Sequence, residues 1–176
     1  MSRRTRRTRR IKKIIFDVDG VLIEADKIRI QKYRELFKKG MEMVKSELYA
    51  GTDWLFPKLK QMYDDGVIIE NRYYKLINKN TPAILEELSK KYELSVYSKS
   101  IPEVTKIKLE ATGIDKYFKD IYVKPLEKGN KSIAVVDDRF NESFGKGYYT
   151  IKFNNGQHKD RGIITDKVIS NISELI

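Results

Sequence analysis

Cysteine is absent from the 176 residues, so the chain can make no disulfide, no thiolate metal site and no cysteine nucleophile. Histidine is almost absent too. The single one, His158, lies in the turn-like stretch NNGQHKDRG and reads as a surface residue rather than a catalytic base. No apolar run reaches the roughly 18 residues that a membrane-spanning helix needs, and the arginine-rich start is not followed by the apolar core of a secretory signal. The expectation is a cytoplasmic protein with no membrane partner. Acid is the last scarcity, and it is local: residues 1–13 hold eight Arg and Lys and neither Asp nor Glu.

That asymmetry accounts for most of the net charge of +11, because the remaining residues carry 28 bases against 25 acids, a net of +3. The RRTRRTRR arm, residues 1–11, is expected to be disordered by self-repulsion. It is either a solvated tail or a contact for nucleic acid through counterion release. The length suits one well-packed domain, with room for a small inserted subdomain.

Residues 14–22, IIFDVDGVL, organise the rest. Ile14, Ile15, Phe16 and Val18 read as a buried strand that runs into two carboxylates, Asp17 and Asp19, before Gly20 breaks it. Buried carboxylates cost several kcal/mol unless a metal or hydrogen-bond donors compensate them, so a strand ending in acid marks a site. Residues 24–79 read as a helical insertion, a small cap. Its first helix carries Ile30, Tyr33, Phe37, Met41, Val44 and Leu48, and its last carries Ile69, Tyr73, Leu76 and Ile77. Trp54, Tyr73 and Tyr74 belong to its core or to its contact with the main body.

From Thr81 the pattern alternates. Pro82 starts a helix that runs to about Lys91, ELSVYS is a strand ending at Ser98, and Pro102 opens a helix with Val104, Ile107 and Leu109 on its apolar side, closed by Gly113. DIYVK (120–124), SIAVVDD (132–138) and YYTIKF (148–153) follow as strands, and VISNISELI reads as a closing helix. The fold class is α/β, a Rossmann-like core of 12–23 and 80–176 with a parallel sheet covered on both faces. Ligands in such sheets bind beyond the carboxyl ends of the strands.

Polar groups collect at those ends: Asp17 and Asp19, Ser98, Lys124, and the pair Asp137 and Asp138. Such a set suits phosphoryl transfer. A phosphate dianion repels a carboxylate nucleophile, so attack calls for Mg²⁺ between the two and for donors on the equatorial oxygens.

In order and approximate spacing, these residues resemble the motifs of the haloacid dehalogenase-like hydrolases over about residues 12–153. The resemblance implies a DxDG motif in Asp17, Asp19 and Gly20, with Asp17 as nucleophile and metal ligand and Asp19 as the acid that protonates the leaving oxygen and then activates water. A dehalogenase lacks that second acid. Ser98 matches the phosphate-binding second motif; the residue after it, often Asn in the family, is here Lys99, which adds charge near the substrate, and Lys124 before Pro125 matches the third motif. Twelve residues separate Lys124 from Asp137, fewer than the usual intervening helix needs, and Lys128 or Lys131 are alternative cations. Asp137 and Asp138 match the fourth motif, so the implied metal set is Asp17, Asp19, Asp137 and Asp138. The insertion stands where the family carries its first type of cap.

The implied activity is Mg²⁺-dependent hydrolysis of a small phosphorylated metabolite through an aspartyl-phosphate. A phosphomutase, a nucleic-acid end phosphatase using the basic arm, and a non-catalytic binding protein on the same fold remain open alternatives.

Overall fold

A computed structural model of the chain describes residues 10–24, 74–100, 102–140, 147–156 and 163–176. The basic arm up to residue 9, most of the expected helical insertion and His158 lie outside the described residues.

Six strands form one parallel sheet: β1 Lys13–Asp17, β2 Glu93–Ser98, β3 Ile121–Val123, β4 Ile133–Asp137, β5 Tyr149–Phe153 and β6 Lys167–Ile169. Their spatial order is β3-β2-β1-β4-β5-β6. The chain thus steps outward from β1 on one side, returns, and steps outward on the other, which places the topological switch between β1 and β4. β1 and β4 are near-continuous apolar runs because strands in the middle of a parallel sheet are buried on both faces.

Period two then divides the core. Ile14 and Phe16 of β1, Leu94 and Val96 of β2, Ala134 and Val136 of β4, and Ile151 and Phe153 of β5 face one way. Ile15, Tyr97 and Val135 face the other, where Phe140, Tyr148 and Leu126 cover them. On the first face lies α1, Thr81–Ser89, with Ile84, Leu85 and Leu88 turned inward. Pro82 suits its first turn, where an amide hydrogen has no partner in any case. The second helix, α2, spans Pro102–Ala111 and stops because Gly113 takes φ +71°, letting Ile114 N donate to Leu109 O at 3.1 Å.

Three sequence expectations need correction. VISNISELI is not a helix: residues 167–169 pair with 151–153 as β6, and Ile172–Leu175 is a short 3-10 turn. Asn171 sits extended at its start, with its side chain accepting from Ser173 N while Glu174 accepts from Asn171 N at 2.9 Å. The spacing of Ile169 and Ile172 suits a helix or this strand-and-turn equally, and pairing with β5 decides. Leu76 and Ile77, expected on a helix, are not helical. Leu76 bridges Ile23 antiparallel, and Ile77 N donates to Leu22 O at 3.0 Å. On α2 the buried side runs through Val104, Thr105, Lys108 and Leu109, whereas Ile107 is only half-buried.

The chain therefore leaves the core at Glu24 and returns beside its own exit, Glu24 N donating to Lys75 O at 2.9 Å. Tyr74 packs against the main core at that junction. Among the described residues no helix is long and apolar enough to cross a membrane.

Candidate active site

The sheet register builds the site. Asp17 is the partner of Tyr97, and Phe16 is the partner of Val136, so Asp17 and Asp137 leave the sheet side by side at the switch point. Asp138 follows, and one carboxylate oxygen from each of Asp17, Asp137 and Asp138 lies within 4.8 Å of the others. All three residues are buried.

Lys124, one residue past β3, answers this charge. Its Nζ stands 3.0 Å from Asp17 Oδ1 and 3.0 Å from Asp137 Oδ2, and 4.4 Å from the centre of the Tyr97 ring. The Tyr97 hydroxyl donates to Asp137 Oδ2, and Arg139 N donates to Asp137 Oδ1 at 2.7 Å. Lys128 is exposed, and Lys131 pairs with Asp166 at 2.8 Å, so Lys124 is the lysine of these three that reaches both acids.

Electrostatics follow from burial. Loss of water raises the Asp17 carboxyl well above the carboxylate range, repulsion from Asp137 adds to the rise, and Lys124 partly offsets it. The Asp138 carboxyl is pushed up to about 6, first by burial and then by Asp137. Burial works against the Lys124 ammonium, yet Asp17 and Asp137 more than reverse that and hold it above the ordinary lysine value. Burial and the same acids raise the Tyr97 hydroxyl, so it stays a donor.

A divalent cation fits this donor set on its chemistry: three close, buried, oxygen-only ligands that repel one another suit a hard cation such as Mg²⁺. Mutual repulsion is the liability that a bound cation would remove.

The remaining expected residues surround this group. Gly20 has φ +90°, and a Cβ there would overlap Asp138 Oδ2 and lie 3.2 Å from Asn155 Nδ2. Ser98 ends β2, buried, with its Oγ accepting from Ser100 N at 3.1 Å and its carbonyl accepting from Lys124 N at 2.8 Å. Lys99 is exposed. Asp19 stands apart from the three-acid group: its Oδ2 is 2.9 Å from Lys108 Nζ.

Three residues of the site escaped the sequence reading. Tyr97 was hidden inside a strand, although a strand tyrosine flanked by apolar residues has a hydroxyl that needs a partner. Asn155 donates to Gly20 O at 2.8 Å and to Asp138 Oδ2 at 3.0 Å, tying the β1 loop to the acid after β4. It lies two residues past the end of β5, where the rule that found the others would have found it. Lys108 gave no signal, since a lysine on a helix is read as solvated.

A doubly wound parallel sheet with a carboxylate-centred, cation-balanced site at its switch point is an α/β core of the kind that places a ligand beyond the carboxyl ends of its strands. Sequence then specifies the family. The family model described as haloacid dehalogenase-like hydrolase matches residues 14–137, and the chain belongs to that family of hydrolases.

Solved structures agree on the fold. A haloacid dehalogenase-like phosphatase from Thermococcus onnurineus superposes with a TM-score of 0.64 at 15% identity, covering 94% of this chain and 96% of that one. A predicted phosphoglycolate phosphatase from Haemophilus somnus gives 0.63 at 16% identity, with 94% and 96% covered. The L-2-haloacid dehalogenase RSc1362 gives 0.60 at 14% identity, with 94% and 97% covered. No curated protein sequence matches significantly.

Proposed function

We propose that this hydrolase is a Mg²⁺-dependent phosphatase acting on a small phosphorylated metabolite through an aspartyl-phosphate. The observation that carries the reading is the convergence of Asp17, Asp137 and Asp138. Displacing halide from a haloacid brings a carboxylate to carbon and releases a stable anion. It needs neither a cation between nucleophile and reacting group nor a proton for the leaving group. Transfer from a phosphate monoester needs both. Asp19, the second acid of the loop, supplies the proton.

In this reading Asp17 attacks phosphorus, and the ester P–O bond breaks as the new one forms. Asp19 gives its proton to the departing alkoxide oxygen. Asp19 then takes a proton from the water that attacks the aspartyl-phosphate, which releases inorganic phosphate and restores Asp17. Ser98 donates to an equatorial phosphate oxygen, and Lys124 balances the charge between nucleophile and phosphoryl group. Lys99, exposed and next in sequence to Ser98, would add a further cation for the substrate. Mg²⁺ held by Asp17, Asp137 and Asp138 would supply charge neutralisation when bound; Asp19, implied by the resemblance as a fourth ligand, stands apart from them beside Lys108 and keeps the proton-transfer role alone.

The test is phosphate release from p-nitrophenyl phosphate, sugar phosphates, nucleotides, phosphoglycolate and a 5′-phosphorylated oligonucleotide, with Mg²⁺ or EDTA, beside halide release from 2-chloropropionate. Wild type should release phosphate only with metal, and Asp17→Asn should lower kcat by ~10³-fold or more. Metal-independent halide release, or phosphate release undiminished in Asp17→Asn, overturns the proposal.

A further inference from the structure

Packing alone does not explain Lys108, a lysine fully buried among the described residues. Its side chain has no exposed surface, although it sits on α2 among residues whose helical spacing would let a leucine fill the same place. A buried ammonium costs several kcal/mol in lost hydration, and burying one beside an active site without a task would be selected against by any apolar substitute of similar length. Its contacts say what the task is. Nζ donates to Asp19 Oδ2 at 2.9 Å and to Ser100 Oγ at 3.3 Å.

These partners belong to two different loops. Asp19 follows β1, and Ser100 follows β2, two residues after Ser98. Ser100 N in turn donates to Ser98 Oγ at 3.1 Å. From one helix, then, a single ammonium fixes the carboxylate of the β1 loop and the serine that hydrogen-bonds the Ser98 hydroxyl. Because Ser98 Oγ accepts from Ser100 N, its own hydrogen is left to donate elsewhere.

We infer that Lys108 is a positioning residue that holds Asp19 and the Ser98–Ser100 loop in their working arrangement from beneath the site. The role in turnover rests on the phosphatase reading above; the role in geometry does not. The hydrogen bonds of Lys108 to Asp19 and Ser100 are the contacts through which it acts on the site. A displacement of a catalytic group by about 1 Å is enough to cost on the order of 10²-fold in rate, and that is the scale on which such a clamp matters.

The experiment is a double-mutant cycle with a crystal structure. Lys108→Met keeps the length of the side chain and removes the donor. Steady-state kinetics are measured for wild type, Lys108→Met, Asp19→Asn and the double variant, with thermal melts to confirm folding. Lys108→Met should lower kcat about 10–100-fold. The loss in the double variant should fall short of the product of the two single losses, because the part of the clamp that acts on Asp19 has no carboxylate left to hold and only the part that acts on Ser100 remains. Losses that multiply across the cycle overturn the inference and make Lys108 merely structural.

The crystal structure of Lys108→Met decides independently of turnover: the Asp19 carboxylate should swing away from its wild-type place, and an unmoved carboxylate overturns the inference. If Lys108→Met does not fold, Lys108→Gln, a shorter neutral donor, takes its place in both arms. A wild type inactive on every phosphoester, or an Asp17→Asn variant that retains activity, overturns the phosphatase reading instead and leaves the crystallographic result to judge the clamp.

Discussion

Gly20 shows how little room the site leaves. Its positive φ and the overlap that a Cβ would make with Asp138 act together, so Gly20→Ala meets strain in the backbone and a clash in space. The expected outcome is a loss of about 1–3 kcal/mol, read from the denaturant midpoint, with weaker Mg²⁺ binding by calorimetry. An unchanged midpoint and affinity would mean that the loop gives way without cost. The residues around Gly20 divide by whether sequence could reveal them. Asp17, Ser98, Lys124, Asp137 and Asp138 were legible because each follows an apolar run, and an acid or a donor at such a place is conspicuous. Lys108 and Tyr97 were not, because each occupies a position whose ordinary use is unremarkable. A helix lysine is expected in water and a strand tyrosine in a core; only the third dimension shows what they touch.

At the scale of elements, the interior strands and α1 were legible from apolar runs and from Pro82, because a strand buried on both faces and a capped helix leave strong local patterns. The edge was not. β6 is short, with Val168 58% exposed, and it holds its place by pairing with β5 and by burying Ile169. Local sequence cannot reveal a strand made by a neighbour. Nor did it reveal that Leu76 makes a single bridge to Ile23 rather than continuing a helix. The contrast between interior and edge is measurable. Leu88, fully buried between α1 and the sheet, should cost about 2–5 kcal/mol on change to Ala, whereas Val168→Thr should stay within about 0.5 kcal/mol of wild type. Equal losses in urea unfolding would contradict this division of the core.

For the whole molecule, the site's acids are a source of instability that depends on pH. Asp138 has a folded pKa of about 6, above its ordinary 3.8, and Asp17 is shifted in the same direction. An acid whose pKa rises on folding favours the folded state most when protonated. Its contribution is complete below about pH 4 and is lost as pH climbs through about 6. Glu93, held down to about 2 by Lys13 and Lys119, works in the opposite sense but only below about pH 4.5. EDTA-treated protein should therefore melt at a higher temperature at pH 5 than at pH 7.5, and Mg²⁺ should raise the Tm more at pH 7.5. A Tm indifferent to both pH and Mg²⁺ would contradict the assignment of these acids to one cation site.

The pairing of Glu24 with Lys75 has a consequence for how such a chain can diversify. Where departing and returning segments are already joined by a backbone hydrogen bond, the ends of whatever lies between them are fixed at one ladder spacing, ~5 Å. For a flexible stretch, doubling its length adds only ~0.6 kcal/mol of closure entropy. Residues can thus be added, removed or exchanged between these two points almost without disturbing the sheet or the acids at its edge.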